Sequence, residues 1–217
     1  MPPENFNDPF DTNPALNLVG LPEPKKKAML TTRNAFMNSV VGAACFTARK
    51  DDPLMWAHYG DEHKGVMLCF DTTCRDLAGL QRVTYSRKRP LVDVIASHVG
   101  QKLLEKSAVW WREKEWRQTV RLSRCKVQMI NGRPIYIRCL NRKCFTSITF
   151  GCRADPAFMV AVGHSLKRWH MRHCLLRRLY LCGDTYSFKV DERTVENIFQ
   201  LTGGSVQRTV RRRFRHD

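Results

Sequence analysis

At 217 residues, with 43% hydrophobic and 26% charged side chains, the chain is long enough for a real core and too apolar for wholesale disorder. No apolar run approaches the ~20 residues that span a bilayer. The opening MPPENFNDPFDTNP lacks the basic start and apolar stretch of a secretory signal, so a cytoplasmic protein is expected. The net charge of +17 is uneven: residues 1–80 carry 8 basic and 10 acidic side chains, residues 81–217 carry 29 and 10.

Six of the ten prolines fall in the first 24 residues, so residues 1–27 are expected as a proline-rich loop segment. A single α+β domain is expected over residues 28–200. Ala28 to Val40 predicts a short helix, and the apolar run VVGAACFTA at 40–48 a strand. LMWAHYGDEHK at 54–64 reads as a short helix or structured loop, GVMLCFD at 65–71 as a buried strand, and QRVTYS at 81–86 as a third strand. Leu91 to Lys106 follows a helical period through Leu91, Val94, Ile95, Val99 and Leu103. From Glu113 the pattern alternates, with Trp116, Val120 and Leu122 facing one way and Glu115, Arg117 and Arg121 the other, which predicts a half-buried strand.

Lys126 to Leu140 predicts a hairpin, because Asn131-Gly132 accepts the positive φ of a tight turn. ITFGC at 148–152 is another strand. Asp155 is placed to cap a helix with Pro156 at its first position and Phe158, Val162, Leu166 and Trp169 on its apolar face. LLRRLYLC and YSFKV complete the sheet, and residues 201–217 form a basic tail expected to be disordered. Helices and strands do not alternate regularly, which predicts a mixed, largely antiparallel α+β fold with flanking helices.

Nine cysteines with no CxxC pair read as reduced thiols, most of them packed as small hydrophobes. His170, His173, Cys174 and Cys182 lack the two tight ligand pairs of a structural zinc site, so no metal is expected. The basic C-terminal two-thirds would attract nucleic acid or another polyanion. Arg138, Arg142, Lys143, Arg177 and Arg178 would meet phosphates, and the tail with Arg208, Arg211, Arg212, Arg213 and Arg215 would add affinity.

Two clusters carry candidate chemistry. Glu113, Glu115 and Arg117, spaced by two on a strand, project from one face. Two carboxylates that close repel, and one pKa rises unless a cation stands between them, which is the usual equipment of acid–base work; a surface Glu–Arg pair is the plainer alternative. His58, Tyr59 and His63, with Trp56, form the second: a proton carrier and a stacking ring, or a loop anchored on its aromatics. Asn7-Asp8-Pro9 reads as an Asx turn that fixes a loop.

NFNDPFD (5–11), CFTARKDDPLMWAHYGDEHKGVMLCFD (45–71), WWREKEWR (110–117) and ITFGCR (148–153) together resemble the bacterial domain of unknown function 2971 family over roughly residues 5–155. Members carry an Asn-Asp-Pro-Phe element, a Cys-Phe-Ser strand, a Met-Trp-x-His-Tyr block and a Trp-x-x-Glu-x-Glu-(aromatic)-Arg strand. Cys45-Phe46-Thr47 stands here where the family has Cys-Phe-Ser. Members begin with a further strand and helix, so this chain reads as truncated against them. The wider family looks similar to ADP-ribosyltransferases of toxin or phage-defence type. That resemblance implies NAD as cofactor, Thr47 as the hydroxyl position and Glu113 and Glu115 as the acids that steady an oxocarbenium-like ribosyl cation. His58, Tyr59, His63, Trp56 and Arg117 are then the candidate ligand-binding residues. A basic nucleic-acid-binding module and a non-enzymatic interaction domain are the alternatives.

Overall fold

A computed structural model describes residues 2–11, 15–17, 20–93 and 103–202. The elements run β1 (Ala15–Asn17), α1 (Glu23–Val40), β2 (Val41–Thr47), α2 (Pro53–Tyr59), β3 (Val66–Phe70), β4 (Gln81–Arg82), β5 (Thr84–Ser86), β6 (Leu91–Asp93) and β7 (Glu105–Ser107). Then come β8 (Glu115–Arg121), β9 (Lys126–Ile130), β10 (Arg133–Ile137), β11 (Phe145–Phe150), α3 (Pro156–Arg168), β12 (Leu175–Leu181), β13 (Phe188–Thr194) and α4 (Ile198–Thr202), with short 3-10 turns between them. Helices thus accompany mixed, largely antiparallel sheets: the chain is α+β. No helix among the described residues is long and apolar enough to cross a membrane.

The chain divides into two compact units, Met1–Lys50 with Thr72–Cys144, and Asp51–Asp71 with Phe145–Asp217. In the first unit β8 is the middle strand of a three-stranded sheet ordered β2-β8-β4, antiparallel throughout. Parallel pairs β1–β6 and β5–β7 and the antiparallel hairpin β9–β10 complete it. Asn131 and Gly132 at the hairpin turn have φ of 49° and 75°, as the Asn-Gly pair predicted. A disulfide joins Cys74 and Cys144 across 70 residues, in place of the two reduced thiols expected there.

The second unit is a four-stranded sheet ordered β13-β12-β11-β3. β11 and β12 run parallel and are linked through α3, while β3 and β13 flank them antiparallel. Its core joins Ile148, Phe150, Met159, Leu166, Leu176 and Ile198. Asp155 caps α3 as predicted, accepting hydrogen bonds from the N–H groups of Ala157 and Phe158.

Five expectations need correction. The proline-rich opening is not all loop, because α1 starts at Glu23 behind the N-cap Pro22, with Pro24 accommodated in a first turn that has no donor to lose. QRVTYS is two strands in two sheets, divided at the buried Val83. The helix over 91–106 is replaced at its ends by β6 and β7, which find parallel partners in β1 and β5; residues 94–102, with Val94, Ile95 and Val99, lie outside the described residues. On α3 the buried positions are Met159, Gly163 and Leu166, while Phe158 and Trp169 are exposed. Leu166 and Val162 stay on the core as expected, and Met159 and Gly163 complete the stripe, Gly163 where a Cβ would meet Ile198 at 3.0 Å. The basic tail expected over 201–217 begins later, because Leu201 and Thr202 close α4 with Leu201 fully buried; its remainder, from 203, lies outside the described residues.

Candidate functional site

The start of β8 inverts the burial its composition suggests: Trp116 is 38% exposed and Arg117 only 1%, although farther along the strand Arg121 is exposed and Leu122 follows it buried. Glu115 and Arg117 point inward, and around them the first unit gathers three carboxylates and two cations: Asp11, Glu113, Glu115, Lys106 and Arg117, all buried.

Each member arrives by a local device. Asp8 Oδ1 accepts the Phe10 N–H at 2.9 Å and its carbonyl accepts the Asp11 N–H at 3.0 Å, so the Asn-Asp-Pro-Phe segment is the expected Asx turn. That turn delivers Asp11. Glu115 and Arg117 share a face through the two-residue period of β8, as predicted. Glu113 takes a different route from the one expected. It ends a 3-10 turn, Ala108–Glu113, and Lys114 then adopts a left-handed conformation at φ 44° before β8 begins. The strand spacing therefore does not place Glu113; the turn does. Lys106 comes from β7, which pairs parallel to β5.

The contacts are dense. Arg117 Nε donates to Glu115 Oε1 at 2.6 Å and Nη2 to Glu115 Oε2 at 3.0 Å. Nη1 and Nη2 donate to the two oxygens of Asp11 at 2.8 and 2.5 Å, and Nη1 also donates to the Leu103 carbonyl at 2.7 Å. All five guanidinium N–H groups are thereby used. Phe6 lies under the guanidinium, 4.9 Å from ring centre to Cζ. Lys106 Nζ stands between the glutamates, 2.5 Å from Glu113 Oε2 and 3.1 Å from Glu115 Oε2, and lies 5.1 Å from the centre of the Trp110 ring.

Charge follows from this geometry. Burial alone would raise the Glu115 pKa, but hydrogen bonds and charge from Arg117, with the Lys106 ammonium, outweigh it and hold the carboxyl below its ordinary value. Burial likewise opposes the charged form of Lys106, and Glu113 and Glu115 reverse that, raising its pKa. The repulsion between paired carboxylates is met by a cation, the exception the sequence reading allowed for, and that cation is Lys106.

Thr47 sits opposite Glu115 on β2, but its hydroxyl donates to the Glu113 carbonyl at 2.6 Å and accepts the Arg49 N–H at 2.9 Å. Tyr85 accepts the Glu115 N–H at 2.8 Å through its phenolic oxygen, and burial raises its pKa. Thr47, Glu113, Glu115 and Arg117 are thus brought together. Sequence reasoning missed Lys106, Asp11 as a charge partner, and Tyr85.

Trp56, His58, Tyr59 and His63 belong to the second unit. Trp56 is buried, Tyr59 is half-exposed, and the His58 and Tyr59 rings meet edge-on at 6.3 Å. His63 has φ 70°, and burial lowers its pKa. Its carbonyl accepts the Arg153 N–H at 3.0 Å, so this turn is bound into its own sheet.

Among the described residues, the group of ligand-type atoms close enough to share a metal is Cys74, Asp76 and Cys144, two of which form the disulfide. His173 instead meets the Phe145 carbonyl at 3.1 Å. Of the proposed phosphate contacts, Arg138 is engaged by Gln118 and Asp76, Arg177 by Glu192 and Ser147, and Arg178 by the Leu201 carbonyl. The chain matches no family model, no curated protein and no solved structure.

Proposed function

We propose that this protein works by binding: a non-enzymatic interaction domain in which a Glu-x-Glu element of the ADP-ribosyltransferase kind is held as internal structure. The saturation of the cluster carries this reading. A carboxylate that grips a ribose hydroxyl needs a lone pair turned toward substrate. Glu115 instead gives Oε1 to Arg117 and Oε2 to Arg117 and Lys106, and Glu113 Oε2 closes on Lys106. Thr47, the hydroxyl of the enzymatic reading, is spent on the backbone.

One observation favours the second reading, catalysis on NAD. The cluster sets three carboxylates against two cations, and Cys45, opposite Arg117 on the same sheet face, is exposed. A surplus negative charge beside an accessible position suits a ribosyl cation.

Nicotinamide release from NAD, measured for the native chain and for Glu115→Gln, decides between them. No release above the blank from either is the expected result. Release by the native chain that disappears in a folded Glu115→Gln variant overturns the binding reading.

A further inference from the structure

The hairpin β9–β10 is a two-stranded sheet with no third strand on either outer edge among the described residues. Nine of its ten strand residues are exposed, the exception being the half-buried Tyr136. The antiparallel register pairs Val127 with Tyr136 and Met129 with Pro134, so these four share one face of the ribbon. That face is wholly apolar, with Val127 57% and Met129 62% exposed.

The apolar face does not stop at the hairpin. Tyr136 also lines a cavity of about 180 Å³ at its base, walled by Phe46, Val120, Leu122 and Leu140. Arg138 fixes the base, donating from Nη1 to Gln118 Oε1 at 2.5 Å and from Nη2 to the Asp76 carbonyl at 2.7 Å. The chain that forms and flanks the ribbon carries charge of one sign: residues 116–144 contain no aspartate or glutamate. Lys126 and Arg133 lie on the ribbon, and Arg121 and Arg124 lie in the segment just before it, while Asp76 at the base accepts the Asn141 N–H. Long, flat, apolar edges left open are aggregation hazards that folded proteins cover or charge.

We infer that the β9–β10 hairpin is a docking surface for an extended acidic segment of a partner protein. The segment adds as a strand to a free edge, sets alternate apolar side chains on the Val127–Met129 face and seats one in the cavity beside Tyr136. Main-chain hydrogen bonds hold it, and its acidic side chains meet the basic rim. A second copy of this chain would bring the same basic rim against itself. Nucleic acid would satisfy the rim but leave Val127 and Met129 against polar phosphates and sugars. The inference gives the binding reading above its surface and partner class. Its test reads association alone, so its failure leaves the nicotinamide result standing.

The probe is a fluorescein-labelled peptide of alternating leucine and glutamate, followed by anisotropy and by amide hydrogen exchange. The expected result is saturable binding, with slowed exchange along the outer edge of β9 or β10. Polyglutamate of equal length and the double variant Val127→Asp/Met129→Asp each weaken it by about tenfold or more. The two substituted positions are exposed, so the variant folds. The inference fails if no peptide binds or if protection appears elsewhere. It fails equally if polyglutamate or a DNA duplex binds as tightly as the mixed peptide, if the variant binds unchanged, or if ultracentrifugation shows the hairpin pairing copies of the chain.

Discussion

Arg117 and Asp11 stand 106 residues apart in the chain and meet through two hydrogen bonds, Nη1 to Oδ1 at 2.8 Å and Nη2 to Oδ2 at 2.5 Å. Both groups are 1% exposed at the side chain, so the pair ties the N-terminal turn to the middle strand of the first unit without access to water.

Breaking such a pair from one side costs more than the pair contributes, because the partner stays buried and charged. Arg117→Ala strands Asp11 and Glu115, and the expected loss is about 3–5 kcal/mol of unfolding free energy in urea titration. Arg117→Lys keeps the charge but not the planar fork, so it recovers less than half of the loss. An exposed control, Arg112→Ala, changes stability by no more than about 0.5 kcal/mol.

The cluster's share of the pH dependence follows from Glu115 and Lys106. Glu115 is depressed in the folded state, so its contribution is present above the ordinary unfolded value near 4.3 and is lost as pH falls through its lower folded value. Lys106 is raised, so its contribution is present below the ordinary value near 10.4 and is lost as pH rises through its higher folded value. The lowered His63 adds a loss below the ordinary histidine value near 6.5, and Cys45, pushed up to about 12 by burial, adds one above the ordinary thiol value near 8.5. The urea midpoint is therefore expected to be flat only from about pH 6.5 to 8.5 and to fall on both sides. Glu115→Gln lowers the plateau and removes its own part of the acid limb; an acid limb identical to the native one assigns that limb to other carboxylates.

Gly151 is the tightest backbone approach in the second unit. A Cβ there would lie 2.0 Å from the His63 carbonyl oxygen, and the Gly151 N–H already donates to Gly65 at 3.0 Å. Gly151→Ala has no flexible side chain to push aside, so a loss of about 2–3 kcal/mol or more is expected in thermal unfolding. Gly183→Ala, which meets nothing within 4 Å, is the control.

Thiol titration in denaturant, without reductant, is expected to return seven reactive groups, because the nine cysteines include the Cys74–Cys144 pair. Reduction returns nine and lowers stability by about 2–4 kcal/mol, the usual range for a disulfide that closes a long loop. Nine groups before reduction would mean that the bond is open in the isolated protein.

Elements set by neighbours in the chain were legible in the sequence. The apolar runs became β2 and β3, Asn131-Gly132 turned its hairpin, and Asp155 with Pro156 opened α3. What depended on distant partners was not. Lys106 ends a segment whose spacing suits a helix, and nothing local says that its ammonium belongs between Glu113 and Glu115. The alternation of β8 was legible but not which of its side chains are buried, because burying Arg117 rather than Trp116 requires an acid from residue 11 and a backbone carbonyl from residue 103. The two units are each assembled from separated stretches, so no linker marks their boundary in the sequence.

The pairing of β3 with β11 has a consequence for how the protein is made. Phe70 and Phe145 are partners in that ladder, about 75 residues apart. At ribosomal speeds of roughly 5–20 residues per second, the Val-Met-Leu-Cys-Phe strand leaves the exit tunnel about 4–15 s before its partner is available. During that wait the newborn chain carries a sticky apolar strand with both edges open, and a chaperone that shields such segments would find its substrate there.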